Sequence, residues 1–164
     1  MRVGILTISD RSAMGEREDQ SGPLLAKFIR SKGWTLVETT VLPDEAAQIS
    51  GLLKQWGDSG DVDLILTTGG TGFAIRDVTP EATLGVVDRL APGLAEAMRA
   101  HGLSKTSHAM LSRAVAGIRG STLIVNLPGS PKGARENLEV ILPVLPHAVQ
   151  VLGDDPRAEE GHSV

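Results

Sequence analysis

The sequence predicts a three-layer α/β/α sandwich around a mainly parallel β-sheet, with a short β-hairpin near the C-terminal third. Segments rich in apolar and β-branched residues alternate along the chain with segments whose apolar residues recur at helical spacing. Val62–Thr68 is almost continuously apolar, which is typical of a parallel strand covered on both faces. Repeated strand–helix units place parallel strands in one sheet and helices on both of its faces.

The first two strand–helix units are predicted from turn residues and apolar spacing. Arg2–Ser9 is an apolar, β-rich strand, and after a polar loop Ser21-Gly22-Pro23 opens a helix that Gly33 ends. Trp34–Leu42 is the second strand. The helix that begins at Pro43-Asp44 has apolar residues at i, i+3, i+4 and i+7, namely Ile49, Leu52, Leu53 and Trp56.

Three shorter helices are predicted between the third strand and the hairpin. Thr79-Pro80-Glu81 is a strong helix start, with Thr79 as the N-cap, proline at the first helical position and an acid in the first turn. A second helix is predicted over Gly93–Ala100, and a third, shorter one over Ser107–Leu111.

The hairpin and two more helices complete the predicted fold. Ala114–Ile118 and Thr122–Leu127 flank the turn Arg119-Gly120-Ser121 and have the pattern of paired strands. Ser130-Pro131 opens an amphipathic helix, because serine is a good N-cap and proline suits the first helical position. A last helix is predicted over Pro146–Leu152.

Length and composition exclude several classes of protein. The 164 residues fit one domain, predicted over residues 1–152, with residues 153–164 as a flexible C-terminal tail. A net charge of −4 without a basic run, together with 2% aromatic residues, argues against a nucleic-acid partner. The absence of cysteine excludes disulfides, thiolate metal sites and cysteine nucleophiles. No secretory signal or membrane-length apolar stretch is recognised, which predicts a cytoplasmic protein without a membrane partner.

Four polar segments follow predicted strands and are expected to meet at one edge of the sheet. Ligands of open parallel sheets bind outside the carboxyl ends of the strands, where these segments lie. All four are rich in Gly, Asp, Ser or Thr, which a purely structural set of loops would not require. The segments are Ser9-Asp10, Pro43-Asp44, Thr67–Gly72 with Asp77, and Asn126–Gly133.

Two of these segments are candidate phosphate sites. In Thr68-Gly69-Gly70-Thr71-Gly72, glycines permit positive φ and let successive N–H groups point into one concavity. A tight turn that needs glycine for steric reasons explains that segment equally well, and it matches neither established nucleotide-binding fingerprint. In Pro128-Gly129-Ser130-Pro131-Lys132, the Ser130 cap, the helix N–H groups and the Lys132 ammonium suit an anion. The alternative there is a capped helix with a solvated lysine.

Three carboxylates are predicted at the same edge. Asp44 and Asp77 follow different strands and could share one divalent cation, because Mg²⁺ typically takes one or two carboxylates plus substrate phosphates. Asp44 also suits a helix N-cap, and Asp10 suits a turn after the first strand. Asp77 is harder to explain structurally, since it precedes the separate cap Thr79 and lies beside the glycine turn. A structural role explains any one of these carboxylates taken alone, but it explains less well three of them beside two candidate phosphate sites.

These segments resemble a known family, the molybdopterin adenylyltransferases of molybdenum-cofactor biosynthesis (the MogA/MoaB type). The resemblance runs from Val3 to about Leu152 and is most specific over Thr67–Thr83. In that family a proline usually stands where this chain has Ile75, so the loop loses a rigid residue but no chemical group. The supporting segments are Ser9-Asp10-Arg11, Pro43-Asp44-Glu45, Leu111-Ser112-Arg113 and Asn126–Lys132.

The resemblance implies a molybdopterin-binding fold and transfer of AMP from Mg·ATP to the terminal phosphate of molybdopterin, with release of pyrophosphate. It also implies a homotrimer, hand-over to a molybdate-insertion enzyme, and Asp44 and Asp77 as the catalytic residues. We expect the same two aspartates to hold Mg²⁺. The residues expected to bind ATP and molybdopterin are Ser9, Asp10, Thr68, Gly69, Gly70, Thr71, Gly72, Pro128, Gly129, Ser130 and Lys132.

Three other functions stay open from the sequence. The first is a non-catalytic molybdopterin carrier, against which the two retained aspartates argue. The second is a nucleotide hydrolase related to the competence-damage family, whose members are normally longer and have a differently composed glycine loop. The third is a scaffold, as in fused eukaryotic relatives that also anchor receptors, and it needs domains that these 164 residues do not contain.

Overall fold

The computed structural model describes residues 1–154, and these form one six-stranded sheet with helices on both faces. The strands are β1 (Arg2–Ile8), β2 (Thr35–Leu42), β3 (Leu64–Thr68), β4 (Arg89–Leu90), β5 (Ala116–Arg119) and β6 (Thr122–Leu127). The helices are α1 (Asp10–Ala13), α2 (Ser21–Ser31), α3 (Ala46–Asp58), α4 (Thr79–Leu84), α5 (Pro92–Leu103), α6 (Pro131–Ile141) and α7 (Leu145–Leu152), with a 3₁₀ helix at Ser107–Leu111.

The sheet has the strand order β2-β1-β3-β6-β5-β4. β2, β1, β3 and β6 are parallel, whereas β5 is antiparallel to both β6 and β4. The predicted parallel sheet and the predicted hairpin are therefore confirmed. Because β2 and β3 lie on opposite sides of β1, the connections from β1 and β2 leave in opposite directions. This reversal opens a crevice at the carboxyl ends of β1 and β3, the usual ligand position in such sheets.

Two hydrophobic clusters cover the two faces of the sheet and establish the three-layer architecture. Successive strand residues alternate between them, so that Ile5 belongs to one cluster and Leu6 to the other. The first cluster contains buried residues of α2, α5 and α6, and the second contains buried residues of α3 and α4. The apolar stripe predicted for α3 is confirmed in Ile49, Leu53 and Trp56, which are fully or almost fully buried.

One predicted helix cap is wrong. α4 begins at Thr79 itself, and Val78 occupies the N-cap position without a side-chain bond. The Thr79 side chain is fully buried, and its hydroxyl donates to the Gly69 carbonyl oxygen at 2.9 Å. The hydroxyl therefore fixes the glycine turn against α4, a contact between residues ten apart that local sequence patterns do not reveal.

Two short elements were not predicted. α1 is a single turn directly after β1, capped by Ser9, whose hydroxyl accepts the N–H of Ser12 at 3.3 Å. β4 is a two-residue edge strand, too short for a periodic pattern. Of the predicted C-terminal tail, only Gly153 and Asp154 belong to the described residues. Within residues 1–154, no helix is both long and apolar enough to span a membrane.

Candidate active site

The loops after β1, β2, β3 and β6 meet at one edge of the sheet and line two adjoining cavities. The first cavity, of about 500 Å³, is lined by segments near α1 and the start of α2, and the second, of about 520 Å³, by segments of α5, the 3₁₀ helix and α6. Four predicted site residues line both: Gly70, Asp77, Gly129 and Ser130. Those that line only the first are Ser9, Asp10, Asp44, Thr68 and Gly69, and those that line only the second are Thr71, Gly72 and Pro128.

The glycine turn after β3 has the features of both alternatives that the sequence left open, a sterically required tight turn and a phosphate site. Gly69 and Gly70 have φ of +107° and +61°, and a Cβ at Gly69 would collide with the carbonyl oxygen of Ile8. The turn thus needs glycine for steric reasons. Within the described residues, the backbone N–H groups of Gly70, Thr71 and Gly72 donate to no acceptor. Three consecutive free donors at the junction of the cavities suit an anion.

The loop after β6 packs directly on this turn. The Thr68 hydroxyl donates to the Pro128 carbonyl at 2.7 Å, and a Cβ at Gly129 would lie 3.2 Å from the Cα of Gly69. Ser130 caps α6 as predicted, because its hydroxyl accepts the Gly133 N–H at 3.2 Å. The start of α6 is thereby held beside the glycine turn, with Ser130 lining both cavities.

Lys132 is the predicted site residue that the structure does not bring together with the others, since it lines neither cavity. A different lysine, Lys105 of the segment after α5, lines the second cavity and forms an ion pair with Glu136 at 3.1 Å. The hydrogen bond from Lys105, with a smaller contribution from the Lys132 charge, lowers the pKa of Glu136. The second cavity therefore contains a paired cation that sequence analysis missed.

Asp10 and Asp44 form a reciprocal pair across two loops. The Asp10 N–H donates to Oδ2 of Asp44, and the Asp44 N–H donates to Oδ1 of Asp10, both at 3.0 Å. Arg76 adds two bonds to the Asp10 carboxylate, at 2.9 and 3.0 Å, and one to Glu45 at 2.8 Å. Both oxygens of Asp10 are thus occupied, which makes Asp10 a bridge between the loops after β1, β2 and β3.

The electrostatic consequences differ for the two carboxylates of this pair. Hydrogen bonds from Arg76, and one from the Asp44 N–H, lower the pKa of Asp10. Burial raises the pKa of Asp44, and the negative charges of Asp10 and Asp77 add to that effect. Glu45, and not Asp44, is the N-cap residue of α3, and it makes no capping bond. Capping therefore does not explain a half-buried carboxylate at position 44.

Asp77 lies between the glycine turn and α4, and its carboxylate is held close to the turn. Its Oδ2 accepts the Ala74 N–H at 2.9 Å, and a Cβ at Gly72 would lie only 2.9 Å from that oxygen. A side chain at position 72 would therefore displace the carboxylate. Glycine at position 72 therefore leaves room for the Asp77 carboxylate.

Asp44 and Asp77 fit a hard divalent cation. Both carboxylates line the first cavity, and within the described residues Oδ1 of each accepts no hydrogen bond. No group of three or more His, Asp or Glu side chains in residues 1–154 is arranged to hold a metal by itself. One or two carboxylates completed by substrate phosphates is the usual arrangement for Mg²⁺. A cation there would also favour the charged form of Asp44, which burial disfavours.

The residues that hold the site in place were not predicted from the sequence. Asp19 accepts the Thr7 hydroxyl at 2.7 Å and the N–H groups of Ser21 and Gly22 at 3.0 and 3.1 Å, so it caps α2 at the rim of the first cavity. An aspartate two residues before a helix start is a recognisable capping signal. The contacts of Arg113 with the loop before Asp77 had no such signal, because they join residues 36 and 41 apart.

Comparison with known proteins gives a consistent picture. A family model described as a probable molybdopterin binding domain matches residues 4–147. Gephyrin of Dictyostelium discoideum is 44% identical over 166 residues, which cover 95% of this chain and 23% of gephyrin. The molybdenum cofactor synthesis protein cinnamon of Drosophila melanogaster is 45% identical over 156 residues, which cover 93% of this chain and 26% of cinnamon. The chain thus spans about a quarter of the length of these two relatives.

Other relatives match along most of their length. The molybdopterin adenylyltransferase of Helicobacter pylori strain J99 is 40% identical over 154 residues, covering 93% of this chain and 88% of that protein. A crystal structure of MoaB, a molybdopterin biosynthesis enzyme of Thermus thermophilus, has a TM-score of 0.89 and 53% identity, with 94% of this chain and 98% of MoaB covered. The family model and the solved structures agree, and the chain belongs to the family of molybdopterin binding domains, with the fold of the MogA/MoaB type.

Proposed function

We propose that this protein is a molybdopterin adenylyltransferase that transfers AMP from Mg·ATP to the terminal phosphate of molybdopterin and releases pyrophosphate. The observation that supports the proposal is the junction of the two cavities. There, the free N–H groups of the glycine turn lie beside Asp77, and Asp44 lines the first cavity next to Gly70, so that the two carboxylates suit a metal ion. Two adjoining cavities that share this turn suit a reaction that joins two phosphate-bearing substrates.

The proposed reaction needs positioning and charge neutralisation more than proton transfer. An oxygen of the molybdopterin phosphate attacks the α-phosphorus of ATP, and the bond from that phosphorus to the oxygen bridging the α- and β-phosphates breaks. The bridging oxygen keeps the electron pair and leaves as part of pyrophosphate. The attacking phosphate is already an anion, so no side chain has to remove a proton.

Each group of the site has a defined task in this proposal. Asp44 and Asp77 hold Mg²⁺, which neutralises charge on the ATP phosphates. The N–H groups of Gly70, Thr71 and Gly72 donate to phosphate oxygens. They need little reorganisation, because the Thr79 hydroxyl and the Arg113 N–H hold the turn by its Gly69 and Thr71 carbonyls. Ser130 and the start of α6 lie beside the turn for a second phosphate.

Two other functions predict different products from the same substrates. A molybdopterin carrier would bind the pterin and leave ATP intact, and a nucleotide hydrolase would cleave ATP without the pterin. The carboxylates of Asp44 and Asp77 in the first cavity favour the transferase over the carrier, because binding alone requires no metal site.

The proposal includes an assembly and a place in the cell. We propose a homotrimer in the cytoplasm that hands its product to a molybdate-insertion enzyme. Several large apolar side chains are exposed on the single chain, as expected of a protein that buries part of its surface in an assembly: Met14, Phe73, Ile75, Leu90 and Met110. Light scattering coupled to gel filtration measures the assembly directly, and a monomeric mass contradicts the trimer.

The deciding experiment incubates the purified protein with molybdopterin, ATP and MgCl₂ and analyses the products by mass spectrometry. We expect adenylylated molybdopterin and pyrophosphate in equal amounts. Pterin that is bound but unchanged contradicts the proposal in favour of a carrier. ATP cleavage in the absence of pterin contradicts it in favour of a hydrolase.

A further inference from the structure

The loop that bears Asp77 has little packing of its own. Residues 73–76 are exposed, and Ile75 is 99% exposed. The loop contains two internal hydrogen bonds, from the Asp77 N–H to the Ala74 carbonyl and from the Ala74 N–H to the Asp77 carboxylate, both 2.9 Å. These bonds shape the loop but do not attach it to the rest of the protein.

Arg113 attaches the loop at both of its ends. Its Nε donates to the carbonyl oxygen of Gly72 at 2.7 Å, and its Nη2 donates to the carbonyl oxygen of Asp77 at 2.5 Å. Its backbone N–H donates to the Thr71 carbonyl at 2.9 Å. Its remaining nitrogen, Nη1, contacts the Glu81 carboxylate on α4. One residue from a distant segment thus holds the first and last carbonyls of the loop.

The guanidinium is the group that this arrangement requires. Nε and Nη2 lie on one edge of a rigid, planar fork, so the two carbonyls are held at a fixed separation. A lysine has the same charge but a single flexible ammonium, which cannot reproduce that separation. Arg113 lines neither of the two cavities of the site, so it acts on the site through the backbone that it holds and not by direct contact with a ligand there.

A second arginine, on the loop itself, has a different task. Arg76 binds the Asp10 and Glu45 side chains, and its own side chain is 54% exposed. Its bonds connect the loop to two carboxylates but touch no backbone atom of residue 77. The contact with the Asp77 backbone belongs to Arg113.

We propose that Arg113 is a positioning residue that fixes the backbone of Asp77 and thereby its carboxylate in the metal site. The inference rests on the proposed function to the extent that Asp77 holds Mg²⁺. Groups that orient metal ligands from the outer shell change metal affinity or activity by about 10–100-fold when they are mutated. Within the single chain, residues 72–77 include no buried side chain to compensate for the loss of this anchor.

The test compares Arg113→Lys, which keeps the charge but loses the fork, with Glu81→Gln, which removes the charged partner but keeps both carbonyl contacts. Mn²⁺ affinity of the nucleotide-free protein is measured by calorimetry, together with the adenylylation rate and the thermal midpoint. We expect Arg113→Lys to weaken Mn²⁺ binding by about tenfold or more. We expect Glu81→Gln to stay within about threefold of the natural protein, as an exposed ion pair contributes little.

Two results would overturn the proposal: unchanged Mn²⁺ affinity in Arg113→Lys, or an equal loss in Glu81→Gln. Where Arg113→Lys does not fold, Arg113→Ala is assayed with added methylguanidinium, with methylammonium as the control. Recovery of Mn²⁺ affinity with methylguanidinium alone supports the positioning role, and an equal response to both contradicts it. Mn²⁺ binding requires no turnover, so this comparison holds even if the natural protein forms no adenylylated pterin and the proposed function fails.

Discussion

The role that local sequence suggests for Asp44 differs from the role that the structure gives it. After Pro43 and before a helix, an aspartate is an ordinary candidate for an N-cap. The structure gives the N-cap position to Glu45 and turns the Asp44 carboxylate toward the Asp10 N–H and the first cavity. What the local sequence could not supply is the position of Asp10, which lies 34 residues earlier.

Because the Asp44 carboxylate is half-buried, we expect removal of its charge to stabilise the folded protein. Its pKa is raised in the folded protein, so between the ordinary pKa and the raised value the folded state binds more protons than the unfolded state. Stability therefore falls as pH rises through this window, and the full cost is present at neutral pH. We expect Asp44→Asn to raise the thermal midpoint at pH 7 while it abolishes adenylylation. Scanning calorimetry of both proteins at pH 4 and pH 7 checks this. A midpoint of Asp44→Asn below that of the natural protein at pH 7 contradicts it.

Gly69 is the position in the site where we expect one added methyl group to lower the free energy of unfolding most. Its φ of +107° is unfavourable for other residues, and a Cβ would collide with the Ile8 carbonyl. We expect Gly69→Ala to cost about 3 kcal/mol or more. Gly120 in the hairpin is the matched control, because its φ is +55° but a Cβ there meets no atom within 4 Å. Gly120→Ala should cost about 1 kcal/mol in urea unfolding, and equal costs at the two positions would refute the steric argument.

At the scale of elements, turns and caps were predicted correctly from local sequence wherever the tertiary packing agreed with the local preference. The hairpin turn at Gly120 and the Ser130 cap of α6 are confirmed, since both depend on residues close to each other in the chain. The Thr79 cap is wrong because its hydroxyl bonds to Gly69, a tertiary contact. β4 was missed because its two residues are strand only through pairing with β5.

Asn126 joins three elements, and we expect its removal to lower the free energy of unfolding substantially. This fully buried residue of β6 donates to the hydroxyls of Thr67 on β3 and Thr83 on α4, at 3.0 and 2.9 Å, and accepts the Val115 N–H at 3.2 Å. Asn126→Ala leaves these groups unpaired, and we expect a loss of about 2–3 kcal/mol in urea unfolding. Asn137→Ala, which breaks one bond within α6, should lose less than about 1 kcal/mol. Similar losses for both variants would argue against this role.

At the scale of the whole molecule, the sheet topology made the location of the site predictable from the sequence. The arrangement of its side chains was not predictable in the same way. Parallel strands put Asp44, the glycine turn and Ser130 at one edge, and the structure places them around the same first cavity. The division into two cavities, the exclusion of Lys132 and the attachment of the loop by Arg113 depend on the packing of α5 and α6 and on contacts between distant segments. Sequence periodicity contains no information on those distances.

Ligand binding should stabilise the whole chain through the same carboxylates. A ligand that binds only the folded state at about 100 times its Kd adds about 2.7 kcal/mol, which corresponds to a rise of about 5 °C or more for a domain of this size. We expect saturating Mg·ATP to raise the thermal midpoint of the natural protein and to have less effect on Asp77→Asn. Differential scanning fluorimetry measures both, and equal shifts would contradict metal binding by Asp77.

The most direct test of the central claim is the initial rate of adenylyl-molybdopterin formation by the natural protein and by Asp77→Asn. Asp61→Asn is the control, because Asp61 is an exposed carboxylate that lines neither cavity of the site. We expect the rate of Asp77→Asn to fall at least about 100-fold, which is the size of effect seen when one group that stabilises transition-state charge is removed. Asp61→Asn should keep the natural rate. An Asp77→Asn rate equal to that of the natural protein would contradict the account of this site.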